Sequence, residues 1–234
     1  MIVIIITAVK VVFQYFHWEI LSVTPLHTGL LAGSVFVLGF ILSSTHTDYK
    51  ESEKMPVELT TAIESIHQDS VLCKQEYPDF KLNELQTLLN GILIAFREDV
   101  QNHTDNAFVK AKELAQYFKQ MEKLGIPANY IVKLKQEQNT IIKIILRMHY
   151  LQKIQPLPSA FILVKSIVFI IIAMLLLTKI GDLRDEIIVT AFISFIYIYI
   201  LKLIKVMDTP FHPSGATQDD ISLFLLKEQQ ERLK

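Results

Sequence analysis

Apolar positions along this chain gather in blocks at its two ends, and a long segment of helical periodicity separates them. Ser159–Thr178 reads SAFILVKSIVFIIIAMLLLT and Ile187–Leu201 reads IIVTAFISFIYIYIL. Each is long enough, with its flanks, to cross a hydrocarbon core of roughly 30 Å at about 1.5 Å per helical residue. At the other end, Met1–Val23 opens on MIVIIITAV and continues through Lys10, His17 and Glu19 among aromatics; after a break at Thr24-Pro25, Leu30–Ser43 forms another block. The pattern predicts four spans. A secretory signal is discounted for the first block, which lacks a basic start and a small-residue cleavage site. In between, Val57–His67, Lys81–Val100, Asn106–Leu124 and Ala128–Ile154 carry apolar residues three and four apart. Breaks fall at Tyr77-Pro78, His103-Thr104 and Gly125-Ile126-Pro127. Thr104-Asp105-Asn106 reads as a helix start, and Pro156 and Pro158 close the last of these helices before the membrane. Nothing there alternates like a strand. The chain therefore reads as an all-α integral membrane protein whose cytoplasmic helices continue from its spans. Its expected parts are residues 1–44 (first and second membrane helices), 45–157 (cytoplasmic helical region), 158–206 (third and fourth membrane helices) and 207–234 (cytoplasmic tail).

Composition agrees: 51% hydrophobic residues beside 20% charged ones, with a mean hydropathy of +0.34, is high for a soluble chain. Charge then sets an expected orientation, because cytoplasmic segments are enriched in Lys and Arg. The connection from Leu21 to Gly29 has none and that from Thr178 to Glu186 has two, whereas Thr45–Pro158 carries fourteen; Lys202, Lys205, Lys227, Arg232 and Lys234 follow the last span. Both termini and the middle segment are expected in the cytoplasm, in a multi-pass protein of a plasma or inner membrane. Cys73, the one cysteine, then lies in a reducing compartment. Lys165 reads as a side chain snorkelling to the interface rather than an ion relay, and Lys202 and Lys205 suit the end of the last helix.

Catalytic signatures are missing. There is no phosphate-cradling glycine loop, HExxH, CxxC or GxSxG, and the seven histidines are scattered. No enzyme, catalytic residue, cofactor, metal site or nucleic-acid partner is expected. His46, Asp48, Glu51 and Glu53 lie close in sequence, but a helix spreads them around more than half its circumference, so a solvated face is the better reading.

One stretch stands out. In GSVFVLGFILSS, Gly33, Phe36 and Phe40 fall within a narrow arc of a helix, with Gly29, Ala32, Gly39 and Ser43 close beside them. On spacing alone, glycines and aromatics on one face at helical period read as a packing face, where glycines admit another helix and the aromatics fill gaps.

SVFVLGF at Ser34–Phe40, followed by a polar exit and ESEKMP, resembles the second membrane helix of the bestrophin family, where the motif reads approximately S-F-V-L-G-F. The last span, FISFIYIYILKLIKVMDTPF, with Pro210-Phe211 and then Asp219-Asp220-Ile221, is similar to the final bestrophin helix with its N-P-F-G and acidic continuation. Ile154–Leu157 falls where the family has I-S-I-P. The resemblance covers about residues 28–58 and 150–226 and points to a short, divergent member.

It implies five subunits around one pore in a lipid bilayer, a homopentamer passing chloride or other small anions. Ala32, Phe36 and Phe40 would then form hydrophobic rings of a neck, and Gly33 and Gly39 would let neighbouring helices pack and move. Ala32 departs from the larger aliphatic residue usual there and should widen its ring. The tail departs too: HPSGATQDD holds two acids where calcium-activated members carry a dense run, so no calcium clasp is expected at Asp208, Asp219 and Asp220. The tail Ile221–Leu233 is amphipathic and is expected to wrap a neighbouring subunit. The rival class is a membrane-anchored scaffold with a helical cytoplasmic domain and no conduction.

Overall fold

The breaks in the apolar pattern become the ends of helices. The computed structural model describes residues 1–153, 158–208, 210–211 and 221–233. The helices are α1 (Ile2–Tyr15), α2 (Pro25–Glu76), α3 (Leu82–Asn102), α4 (Asn106–Lys123), α5 (Ala128–Lys153), α6 (Pro158–Leu177), α7 (Leu183–Met207) and α8 (Phe224–Arg232). Two short strands, β1 (Leu21–Ser22) and β2 (Thr178–Lys179), pair in parallel, Leu21 with Thr178 and Ser22 with Lys179. At the break after α3, His103 takes a left-handed φ of 55°, and Gly125 between α4 and α5 takes a φ of 79°, where a glycine has no Cβ to strain. The α2 terminus is closed by Lys74, whose Nζ donates to the carbonyls of Pro78 (2.5 Å) and Phe80 (2.8 Å).

Three local features bear on the expectations. The second span continues unbroken to Glu76, passing through Pro56, which has no N–H for the Ser52 carbonyl one turn back. The expected continuation of the second span into the helix that follows is observed, and the proline is absorbed. Second, Asp105 occupies the N-cap of α4 without a side-chain bond. The cap comes from Asp99 in the last turn of α3, fully buried, whose carboxylate accepts the Asn106 N–H at 3.0 Å and the Ala107 N–H at 2.7 Å, as well as the Thr104 hydroxyl. Third, α2, α6 and α7 are long and apolar enough to cross a membrane, whereas α1, with 14 residues, reaches about 21 Å, short of a 30 Å core.

The chain divides into two units: residues 1–48 with 155–208, and residues 49–154 with 209–234. The first has a small core of Leu38, Val164, Val168, Ile171, Leu175, Tyr197 and Ile204, while Phe169, Phe192 and Phe195 point outward. Helices apolar on every side suit lipid, which leaves no backbone polar group unpaired when the spans are helical. The second unit is a helical bundle around an apolar core, with Leu59, Ile63, Leu89, Ile92, Phe96, Leu114, Phe118, Ile141 and Ile145 buried. Burial stabilises by about 1.5–3 kcal/mol for each such side chain. The tail helix α8 also belongs to it and packs on its own chain. Leu226 and Leu233 are buried in this core, Gln229 donates to Glu64, and Arg97 donates to Gln230 at 3.4 Å.

Candidate functional site on the second helix

In the first unit, α2 is held by one face. Ser34 and Leu38 are buried there, with Leu31 and Ile41 packed at the edge. Ser34 Oγ donates to the Leu31 carbonyl at 2.8 Å and accepts from the Tyr197 hydroxyl of α7 at 2.5 Å. That pair sets the rotation of α2, because turning the helix would bury a hydroxyl without a partner.

At about 100° per residue, Phe36 lies roughly 200° from both Ser34 and Leu38, on the opposite side. Phe36 is 76% exposed and Phe40 72%, and Ala32 is exposed with them. A Cβ added at Gly29, Gly33 or Gly39 would meet nothing within 4 Å. Among the described residues, this face meets the rest of the chain only at Phe40, which borders a cavity shared with α6 and α7. A core role for these phenylalanines within the chain is therefore excluded.

Beside Phe40 a cavity of about 200 Å³ is lined also by Ser44, Thr45 and Asp48 of α2, Phe161 of α6, and Ile204 and Asp208 at the end of α7. Burial, and then the negative charge of Asp48, push the Asp208 carboxyl up to about 6. Of the acids named for a cation site, Asp208 thus meets Asp48; Asp219 and Asp220, like Ile154–Leu157, lie outside the described residues. Glu51 pairs instead with Arg147 at 2.9 Å. Among the described residues no three His, Cys, Asp or Glu side chains are grouped to hold a metal. Lys165 is exposed, its Nζ 4.4 Å over the Phe161 ring.

A buried ionic cluster went unread in the sequence. Lys10 of α1, with no exposure, donates to Glu19 Oε1 at 2.5 Å and to the Thr178 carbonyl at 2.6 Å, and lies 3.5 Å from Glu186 Oε2. Glu186, in the first turn of α7, also accepts the backbone N–H of Ile180 at 2.9 Å. Two carboxylates around one ammonium are tolerable there because backbone donors and the positive end of α7 add to Lys10. The one legible signal was charge inside an apolar block: Lys10 amid isoleucine and valine.

Compared with solved structures, nearly the whole chain superposes on one architecture. A crystal structure of a bacterial bestrophin homologue from Klebsiella pneumoniae, in a variant form, matches with a TM-score of 0.86 at 11% identity, covering 99% of this chain and 96% of that one. A second variant of that homologue gives 0.84 at 12% identity, covering 99% and 96%. A variant described as a membrane protein gives 0.85 at 11%, covering 99% and 95%. The chain has the bestrophin-homologue fold. No protein-family model matches the sequence, and no curated protein does. The shared fold is that of an all-helical membrane protein.

Proposed function

We propose that this protein is a subunit of a bestrophin-like pentameric ion channel, with Ala32, Phe36 and Phe40 of α2 facing the common axis as a hydrophobic neck. The observation that carries this is the unpaired face of α2, two phenylalanines and three glycines set opposite the Ser34–Leu38 side that the chain packs. A face of that composition has to meet another copy, lipid or a pore, and glycines favour close approach of helices. Five copies around an axis bring the phenylalanines together as rings. A narrow ring of apolar side chains sheds water and stops ions, and the electropositive edges of the phenyl groups favour an anion once the ring widens. Chloride and other small anions are the permeant species of this reading, with lipid and four further copies as the partners. Gly33 and Gly39 lie where neighbouring copies of α2 would touch. The protein works without a catalytic residue or cofactor, in a plasma or inner membrane with both termini cytoplasmic, and calcium does not switch it on.

Counting subunits tests the assembly. Native mass spectrometry of the detergent-solubilised full chain should give a pentamer, and a cysteine placed at Ala32 should cross-link between copies. A monomer or dimer, or a label at Phe36→Cys that reports lipid rather than an aqueous vestibule, rejects the channel.

A further inference from the structure

Directly after α1 the chain folds into a tight aromatic turn. The backbone N–H of Phe16 closes the last helical turn on the Val12 carbonyl at 3.0 Å, His17 takes a left-handed φ of 56°, and the backbone N–H of Trp18 reaches back to the Phe13 carbonyl at 2.9 Å. A histidine in that backbone region is held there by its surroundings. The surroundings are rings: Trp18 meets Phe13 edge-on at 5.3 Å and stacks on Phe16 at 5.3 Å, while Tyr15 meets Phe16 edge-on at 5.3 Å. The next residue, Glu19, is tied to buried Lys10 at 2.5 Å, and Leu21 and Ser22 pair with Thr178 and Lys179, so both sides of the turn are fixed to the first unit. Its apolar surface nevertheless faces outward. Phe16 and Trp18 are each just over half exposed, and Tyr15 and Ile20 reach 80% and 76%. A rigid turn that keeps four large apolar side chains outside is a surface shaped to meet something other than water.

We propose that the turn from Tyr15 to Ile20 is a foot seated in the headgroup layer of the bilayer, and that it fixes the depth of α1 and, through Lys10, of α7. Its partner is the glycerol and carbonyl zone of phospholipid. Continuity favours lipid: the exposed Ile4, Ile5, Val11 and Val12 of α1 lead into Tyr15 and Phe16, so the foot ends the apolar surface of that helix. Chemistry favours it too. Trp18 and Tyr15 each carry an apolar body and one polar tip, the indole N–H and the phenol O–H, which suits a zone apolar on one side and wet on the other. Length agrees, because the 14 residues of α1 reach about 21 Å and leave about 9 Å of a 30 Å core, and the turn extends the apolar surface past the helix end. The link to α7 is ionic: Lys10 donates to Glu19, the residue after Trp18, and lies 3.5 Å from Glu186 in the first turn of α7. A displacement of the foot therefore pulls on both helices. This seat does not depend on whether the exposed face of α2 lines a pore.

Trp18 is the one tryptophan of the chain, so the unaltered protein reports on the foot directly. The full chain is reconstituted in phosphatidylcholine vesicles whose acyl chains carry bromine near the carbonyl end, at mid-chain or near the methyl end. Trp18 emission should be quenched severalfold by the first, less by the second and least by the third, with weak quenching by iodide in the water. Strong iodide quenching without bromine quenching overturns the foot and makes the turn a water-exposed loop. Protection from both quenchers overturns it in favour of a contact with another copy, and strongest quenching by bromine near the methyl end overturns the interfacial seat. The link to α7 is read with a spin label at Leu183→Cys, an exposed site in its first turn, in a Cys73→Ser background. Adding Phe16→Ser and Trp18→Ser should shift the depth of that label in the bilayer; an unchanged depth overturns the coupling to α7.

Discussion

Replacing both Phe36 and Phe40 by alanine separates a neck from a packing surface, because the chain's own structure sets the cost. Each ring is roughly three-quarters exposed within the chain. Phenylalanine buries on the order of 200 Å² when fully enclosed, so the quarter covered here amounts to about 50 Å². At about 25 cal/mol per Å² that is about 1 kcal/mol for each side chain. Alanine returns roughly 0.5 kcal/mol of helix propensity. The fold of each subunit should therefore lose little, well below the roughly 3–5 kcal/mol that follows deletion of a fully buried phenylalanine. If the rings form a dewetted constriction, anion flux through vesicles reconstituted with Phe36→Ala/Phe40→Ala should rise severalfold and lose its dependence on any stimulus. Oligomer mass and thermal midpoint, read on the same preparation, should stay close to those of the unaltered protein. Dissociated subunits would assign the phenylalanines to intersubunit packing. An intact pentamer with flux unchanged and negligible would refute the neck.

Asp99→Ala leaves two backbone N–H groups of α4 without their cap and should cost about 2–4 kcal/mol, seen as a lower thermal midpoint; Asp99→Asn, keeping one acceptor, should cost less. Lys10→Met strands Glu19 and Glu186 and should cost about 3–5 kcal/mol, partly recovered by adding Glu186→Gln; a double variant no better than the single would mean the cluster is not held by its charges. Asp208 binds its proton more tightly folded than unfolded, so it stabilises below its ordinary range near 3.8 and that contribution is lost as pH rises through about 6. Asp208→Asn should accordingly raise stability at pH 7 by about 1–2 kcal/mol after screening by solvent, and by little at pH 4; a gain equal at both pH values would show that the carboxyl is not the cause. Leu226→Ala should loosen α8 from its own chain, exposing it to proteolysis without altering the subunit count; loss of the oligomer would instead make α8 an intersubunit element.

Much of the architecture is local in origin and could be read from the order of residues. Apolar runs without charges define α6 and α7, and His103-Thr104, Gly125-Ile126-Pro127 and Tyr77-Pro78 end helices because short-range backbone geometry decides there. The angular relation of Ala32, Phe36 and Phe40 also follows from helix period alone. Which side of α2 the chain would cover does not, since that depends on Ser34 finding Tyr197 on a helix far along the sequence. The same holds for Lys10 meeting Glu186 and for Asp48 meeting Asp208, pairs that no spacing rule connects. Thr104-Asp105 misled for a related reason. Local signals named a cap there, but Asp99 of the preceding helix supplied it. Periodicity fixes what lies on a face, and only packing between distant segments decides which face is buried and which remains open to other molecules.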